Sequence, residues 1–312
     1  MYAQICTLEN LYKASKKAMR GKKSSQSVAH FWLHEDREIA TIQKQLQSKN
    51  YPFGYYKEFE INDKGVLRKI SAAPFRDRVV HHAIMNIIEP LFEKSFIYDT
   101  YANRKGKGVS KALYRAKSYA KRYRYYLKLD IQKYFPSIDH AILKELLRKK
   151  IECEDTLQLL DNLIDSSNRQ FDAYFYYESD TLFTPYERPK GLPLGNLTSQ
   201  FFGNLYLNRL DHYIKEVLRV GYIRYVDDFV LFFDEYDQSS YYLEAIQSYL
   251  QRFRLKLHPR KIVCGSSDSG IEMLGHKVYP SHIRISSPNM RRAKSRLINT
   301  AYLYKYNKIK RG

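Results

Sequence analysis

Asp227 and Asp228 are adjacent acidic residues between two short apolar runs, Tyr222-Ile223 and Phe229-Val230-Leu231-Phe232-Phe233. Each run is typical of a β-strand, so the acidic pair is expected at the tip of a hairpin. Two neighbouring carboxylates repel each other, and burying either one without compensation is costly. A hard divalent cation with oxygen ligands would relieve both penalties. The segment Tyr225–Asp228 therefore indicates Mg²⁺-assisted phosphoryl chemistry, provided that a third carboxylate lies elsewhere.

That third carboxylate is Asp130, which ends an upstream segment of alternating polarity. Apolar side chains of residues 125–131 are expected on one face of a strand, and Asp130 on the other. A helix should follow, with Ser137 as its N-cap. Two metal ions bridged by such carboxylates can activate a primer 3′-hydroxyl and stabilise a pyrophosphate leaving group.

An Asp-Asp pair also has a structural explanation, because Asp suits turns and tolerates unusual backbone angles. Taken alone, the pair would be read as an ordinary hairpin turn. The preceding Tyr225-Val226, the flanking apolar strands and the strand-terminal Asp130 favour the metal site instead.

Composition points to a globular protein with a polyanionic partner. The 312 residues, 44% of them hydrophobic, allow one large domain or two to three packed subdomains. A net charge of +20 favours nucleic acid, and the 29 tyrosines suit base stacking as well as core packing. Cys6, Cys153 and Cys264 lack the spacing of a metal site or disulfide framework. No signal peptide or membrane-spanning run is evident, so we expect a cytoplasmic protein.

Periodicity gives a coarse outline of alternating helices and strands. A helix is predicted over residues 28–48, and a hairpin over 55–72 with its turn at 62–65. The glycine-containing loop at 191–197 should lead into a helix from Thr198 to Leu218. A final basic helix should begin with Ser287 as N-cap and Pro288 at its first position.

The order of these motifs, from about Leu8 to the last helix, resembles a reverse transcriptase of the bacterial retroelement type. Most such enzymes have Gln-Gly, three residues and Ser-Pro between the two carboxylate motifs. Here the loop is Leu194-Gly195-Asn196-Leu197-Thr198-Ser199-Gln200. An aliphatic residue for Gln, and Gln for Pro, is similar to the diversity-generating retroelement reverse transcriptases. Leu8–Leu11, Phe75–Ala83 and Tyr101–Arg104 also resemble that family.

The resemblance implies an α+β fold, a right-hand polymerase whose antiparallel sheet packs on helices. It divides the chain into an N-terminal helical extension (1–50), fingers (51–124), a palm (125–280) and a partial thumb (281–312). The palm would contain an insertion at 153–190 and the loop and helix at 191–218.

The resemblance also implies roles for individual residues. The catalytic set would be Asp130, Asp227, Asp228 and Lys261, with Lys261 protonating pyrophosphate. Metal ligation would fall to Asp130, Ile131, Asp227 and Asp228. Incoming nucleotide would contact Arg68, Lys69, Arg78, Phe135, Leu194, Gly195 and Gln200. Phe135 would be the aromatic gate against ribonucleotides, and Leu274-Gly275 the primer grip.

The implied activity is RNA-directed DNA polymerisation, a nucleotidyl transfer that uses dNTPs and two Mg²⁺ ions, for which Mn²⁺ can substitute. The partners would be template RNA, the primer or cDNA, and a small basic oligomeric accessory protein, in a bacterial or phage-encoded system. Copying would be error-prone at template adenines, giving mutagenised cDNA. Two alternatives stay open: an antiphage-defence or retron-like reverse transcriptase, and a nucleic-acid-binding module with an inactive site.

Overall fold

The computed structural model describes residues 1–22, 25–63, 65–167, 173–178 and 180–306. In chain order its α-helices are α1 (Tyr2–Ile5), α2 (Leu8–Met19), α3 (Gln26–Leu33), α4 (Glu35–Gln47), α5 (Phe75–Glu93), α6 (Val109–Arg122), α7 (Tyr134–Ser137), α8 (His140–Arg148), α9 (Glu154–Asp165), α10 (Thr184–Glu187), α11 (Leu197–His212), α12 (Gln238–Gln251) and α13 (Ser287–Lys305). None of these helices is both long and apolar enough to cross a lipid bilayer.

The strands are β1 (Lys57–Asp63), β2 (Val66–Ala72), β3 (Tyr125–Asp130), β4 (Gly221–Tyr225), β5 (Asp228–Phe233), β6 (Val263–Ser266), β7 (Ile271–Met273), β8 (His276–Val278) and β9 (Ile283–Ile285). They form a two-stranded sheet (β1-β2), a four-stranded sheet (β4-β5-β3-β6) and a three-stranded sheet (β7-β8-β9). All neighbouring strands are antiparallel. Mixed helices and antiparallel sheets confirm the α+β class.

Two compact units make up the chain, and each is assembled from three separate stretches. Unit 1 comprises Met1–Tyr98, Ile131–Tyr213 and Ala245–Leu257, and unit 2 comprises Asp99–Asp130, Ile214–Glu244 and His258–Gly312. The division into fingers, palm and thumb stays a prediction. Parts of the expected 62–65 turn, the 153–190 insertion and the thumb lie outside the described residues.

Unit 1 is organised around helix α5, against which α1–α4 and α11 pack. The buried residues of α5 recur at helical spacing: Val79, Val80, Ala83, Ile84, Ile88 and Phe92. Strands β1 and β2 form the predicted hairpin, in which Phe59 lies opposite Ile70 and Ile61 opposite Arg68.

Unit 2 holds the four-stranded and three-stranded sheets. Side chains from both sheets and from α6 share one apolar core, which includes Ala112, Ala116, Tyr119, Tyr126, Val230, Phe232, Ile271 and Val278. Alternate residues of β3 and β5, such as Leu129 and Phe229, are buried on the opposite face of the four-stranded sheet. This central ribbon is therefore apolar on both faces for most of its length, and its polar groups concentrate at one end.

The predicted N-cap after the Asp130 strand is wrong. Ser137 ends the short helix α7, and Asp139 caps α8 by accepting a hydrogen bond from the Ile142 amide at 3.1 Å. The Asp139 carboxylate also contacts Arg254 at 2.6 Å and Arg188 at 3.5 Å. Asp139 suits the cap because the same carboxylate also neutralises two cations.

Other predicted boundaries also shift. The single helix over 28–48 is two helices, because the chain bends at His34 between α3 and α4. The helix expected to reach Leu218 changes to π-helical geometry after His212. The N-cap position of the last helix is Ser286 rather than Ser287, which places Pro288 in its first turn.

We predict that Asp139→Ala lowers the free energy of unfolding by about 3 kcal/mol, because it removes the cap and the carboxylate that pairs with Arg254, while Arg188 keeps its contact with Asp180. Ser137→Ala is the matched variant and should cost about 1 kcal/mol or less. Urea denaturation followed by far-UV circular dichroism measures both. Equal losses for the two variants would contradict the assignment of the cap.

Candidate active site

The three candidate carboxylates lie at one end of the four-stranded sheet of unit 2. In the β3–β5 register Asp130 is directly opposite Asp228, and in the β4–β5 register Tyr225 is opposite Asp228. Val226 and Asp227 form the two-residue turn between β4 and β5. The predicted hairpin and the predicted strand ending in Asp130 are both confirmed. Together they bring the three carboxylates to the same end of the sheet.

The turn that carries Asp227 has an unusual backbone. Val226 has a φ of 60°, in the left-handed region that β-branched residues rarely occupy. The Val226 carbonyl accepts a hydrogen bond at 2.9 Å from the guanidinium of Arg224. Arg224 is only 1% exposed. A buried cation under the turn thus compensates part of the backbone strain.

Arg224 is tied in turn to a charged cluster in unit 2. Its amide donates to the Asp99 carbonyl at 3.0 Å, and the Asp99 carboxylate accepts from Arg115 at 2.8 Å and from the Tyr119 hydroxyl at 2.8 Å. Burial alone would raise the pKa of Asp99, but these hydrogen bonds and the charge of Lys215 outweigh it and lower the pKa. The sequence signal for this support was a charged residue, Arg224, inside the apolar strand β4.

Lysine ammonium groups neutralise the carboxylates in this structure. Lys261 Nζ lies 2.9 Å from each carboxylate oxygen of Asp130. Lys128 Nζ lies 3.5 Å from Asp228 Oδ2. The other oxygen, Asp228 Oδ1, is buried without a hydrogen-bond partner.

Burial raises the pKa of Asp228 from 3.8 to about 6. The nearby charge of Lys128 lowers this pKa, whereas Asp130 and Asp227 raise it further. Asp228 is therefore an acidic group whose ionised form lacks sufficient compensation from the protein alone.

The donor set suits a divalent cation. Asp130 and Asp228 face each other, Asp227 is adjacent, and Asp228 Oδ1 has an unused acceptor position. Among the described residues, no three acidic, His or Cys side chains are already arranged as a closed cluster. Ile131, which pairs with Leu257 in unit 1, stays a predicted ligand.

The predicted loop at Leu194 lies in unit 1. The Leu194 carbonyl accepts from the Ser71 amide of β2 at 3.2 Å, and Gly195 has a φ of 100°. A Cβ on Gly195 would lie 3.0 Å from Ile70 Cγ2, so this close approach favours glycine. Asn196, which the sequence analysis did not select, donates to the Ser71 carbonyl at 2.7 Å and holds the loop against the hairpin.

Arg68 and Lys69 point to opposite faces of the β1–β2 hairpin, because strand side chains alternate. Lys69 forms a 2.6 Å ion pair with Glu58. Arg68 shares its face with Ile70, which lines a cavity of about 230 Å³ together with Arg78 and Gly195. The structure thus groups Arg78 and Gly195 at one cavity and separates Lys69 from it.

The other two unit 1 candidates lie on or near α11. Phe135 is half-buried, and a Cβ on Gly203 of α11 would lie 3.2 Å from its ring. Gln200 is half-buried in the first turn of α11. Neither position tests the predicted contact with a nucleotide.

Leu274 and Gly275 form the turn between β7 and β8, and both have positive φ, 51° and 76°. Asn289 of α13 donates to the Gly275 carbonyl at 2.8 Å. A Cβ on Gly275 would lie 1.9 Å from Asn289 Nδ2, so the residue must be glycine. The predicted primer-grip position is therefore a tight hairpin turn fixed to the last helix.

We predict that, without divalent ions, the free energy of unfolding falls as the pH rises from about 4 to about 6. Because the folded-state pKa of Asp228 is raised, its contribution is complete below its ordinary pKa of 3.8 and is lost through about 6. The loss is on the order of 3 kcal/mol. Urea denaturation in EDTA at several pH values measures it. Asp228→Asn should lack this component, and parallel wild-type and variant profiles would contradict the assignment.

Comparison with known proteins identifies the family. The profile described as reverse transcriptase (RNA-dependent DNA polymerase) matches residues 57–278. Protein YkfC of Escherichia coli K12 is 23% identical over 290 residues, covering 79% of this chain and 72% of YkfC. The putative COX1/OXI3 intron 2 protein of Saccharomyces cerevisiae is 24% identical over 175 residues, 56% of this chain but 19% of that protein.

Two further comparisons extend the likeness. The group II intron-encoded protein LtrA of Lactococcus lactis is 24% identical over 151 residues, 48% of this chain and 23% of LtrA. Apo telomerase from Candida tropicalis, truncated from its C-terminal domain, aligns with a TM-score of 0.52 at 12% identity, over 81% of this chain and 60% of that one. The matched segments thus span about a fifth of the intron proteins. With its right-hand polymerase fold, the chain belongs to the reverse transcriptase family.

Proposed function

We propose that this protein is an RNA-directed DNA polymerase that depends on divalent metal ions. The observation that carries the proposal is the register in which Asp130 lies directly opposite Asp228, with Asp227 in the adjoining turn. Family membership and the excess of positive charge support a template–primer substrate. Template RNA, a DNA primer and dNTPs are accordingly the proposed partners.

In this proposal Asp130, Asp227 and Asp228 hold Mg²⁺, which when bound supplies activation of the primer 3′-hydroxyl and charge neutralisation at the phosphates. Arg224 donates to the Val226 carbonyl and so holds the backbone of the turn that carries Asp227. Lys261, whose ammonium contacts Asp130, is the candidate proton donor to pyrophosphate.

Nucleotide selection is proposed to involve residues of the β1–β2 hairpin, α5, α7 and the loop before α11. Arg68 and Arg78 are the candidates for holding the triphosphate, and Lys69 is a weaker one because Glu58 already pairs with it. Phe135 is the proposed gate that excludes a ribose 2′-hydroxyl. Gly195, in the loop before α11, and Gln200, in the first turn of α11, are the other candidates for contact with the nucleotide. The carbonyl of the neighbouring Leu194 is hydrogen-bonded to β2.

Leu194 supports a narrower proposal, error-prone copying as in diversity-generating retroelements. A Gln at this position can hydrogen-bond an incoming nucleotide, whereas the Leu side chain has no polar group. Losing one such contact weakens discrimination by a factor of several. An antiphage-defence or retron-like enzyme would share the polymerase chemistry. An adenine-biased error pattern in the cDNA distinguishes diversity generation from that alternative. The basic accessory protein also belongs to this narrower proposal.

We predict that Asp228→Ala reduces primer extension on an RNA template by about 10³-fold or more, because it removes one of the facing carboxylates. The assay uses a DNA primer, dNTPs and Mg²⁺. Asp237→Ala removes an exposed carboxylate nearby in the chain and should leave extension unchanged. Equal extension by wild type and Asp228→Ala would refute the metal assignment, and no extension by wild type would favour the inactive binding module.

For the narrower proposal, Leu194→Gln should lower misincorporation opposite template adenine by a factor of several, because it adds a hydrogen-bonding group at the loop. Sequencing of cDNA made from a fixed RNA template measures the error spectrum. Leu194→Met keeps the side chain apolar and should retain the wild-type spectrum. An unchanged adenine error rate in Leu194→Gln would remove the error-prone proposal without affecting the polymerase assignment.

A further inference from the structure

Lys128 is an unexpected residue at the centre of the four-stranded sheet. It lies on β3 between Val230 of β5 and Val263 of β6, where an apolar side chain would pack well. It shares a face with Tyr126, which is buried in the apolar core, and with Asp130 at the strand end. Lys128 thus lies where the covered part of this face gives way to the carboxylates.

The ammonium of Lys128 contacts both the β7–β8 hairpin and Asp228. Nζ donates to the Glu272 carbonyl of β7 at 2.8 Å and lies 3.5 Å from Asp228 Oδ2. Its side chain is only 23% exposed, and the Asp228 side chain 21%. β7 is an edge strand of the three-stranded sheet. The Lys128 ammonium, from the four-stranded sheet, supplies a hydrogen-bond donor to this edge.

The hairpin is thereby held from two sides. Glu272 lies two residues before Leu274, the first residue of the turn. The far side of that turn is held by Asn289 and by the Ser286 amide, 3.0 Å from the Gly275 carbonyl. Lys128 is the polar link from this hairpin to the carboxylate end of the four-stranded sheet. Charge-assisted hydrogen bonds are stronger and more directional than neutral ones.

We propose that Lys128 is a positioning residue that fixes the Leu274-Gly275 hairpin relative to Asp228 and so sets where the primer 3′ end meets the carboxylates. The inference rests on the proposed polymerase function and on the proposed role of this hairpin as the primer grip. Displacing a reacting group by about 1 Å can cost about a hundredfold in rate. Lys128 would therefore act on the rate of extension rather than on the affinity for nucleic acid.

The test compares Lys128→Met with Lys128→Arg. Methionine keeps much of the side-chain volume but removes the donor and charge, whereas arginine retains both. Lys121→Met, at an exposed position in the last turn of α6, controls for the loss of one positive charge. Steady-state primer extension gives kcat, and titration of the protein against labelled template–primer at several salt concentrations gives the Kd and its salt slope. A 2-aminopurine at the primer 3′ terminus reports its stacking environment by fluorescence.

If the inference holds, Lys128→Met lowers kcat about tenfold to a hundredfold with little change in template–primer Kd, and it alters the 2-aminopurine emission of the bound complex. Lys128→Arg should recover most of the rate, and Lys121→Met should match wild type in kcat. Two results would overturn it: an unchanged kcat and emission in Lys128→Met, or a weaker Kd whose salt slope falls by about 1, which would make Lys128 a phosphate contact.

The controls separate this inference from the polymerase assignment. If the wild-type protein extends no primer, the proposed function fails. If the wild type extends and Lys128→Met behaves identically, only the positioning role fails. Urea denaturation checks that Lys128→Met is folded. If it is not, an unaltered kcat and emission in a folded Lys128→Leu, which also lacks the donor and the charge, would still overturn the positioning role.

Discussion

Bringing like charges together at the end of a buried β-ribbon is the constraint on which the rest of this structure depends. The antiparallel register of β3 and β5 places Asp130 directly opposite Asp228. A shift by one residue would turn every side chain of β3 to the other face, so the apolar core and the acidic edge are specified together. The fold accepts the electrostatic cost because the buried faces of the ribbon fix the register.

Three basic side chains, which differ in how deeply they are buried, offset the electrostatic repulsion between these carboxylates. Lys261 contacts Asp130 from the exposed side, Lys128 approaches Asp228 from within the sheet, and Arg224 lies beneath the turn. Of these three, only Arg224 is almost fully buried. Its amide is hydrogen-bonded to the carbonyl of Asp99, whose carboxylate accepts from Arg115 and Tyr119. A net positive chain thus places its charge around the acidic edge as well as on its surface.

Periodicity and turn chemistry were sufficient to predict the β3 strand, the β4–β5 hairpin and the β1–β2 hairpin. These predictions succeeded because short-range alternation records which face of a strand is buried. Helix limits were less predictable. The cap residue of α8, Asp139, also pairs with Arg188 and Arg254, which are distant from it in sequence. The roles of Lys128 and Asn196 escaped notice for the same reason, because each bonds a backbone group on another element.

The junction between Gly275 and Asn289 has a mechanical consequence. Helix α13 has no buried side chain among its described residues, so few contacts resist its displacement. Yet its first turn is hydrogen-bonded to the hairpin tip, with no intervening loop to absorb movement. Movement of this basic helix would therefore also move the backbone of Gly275, in the turn that follows the edge strand β7.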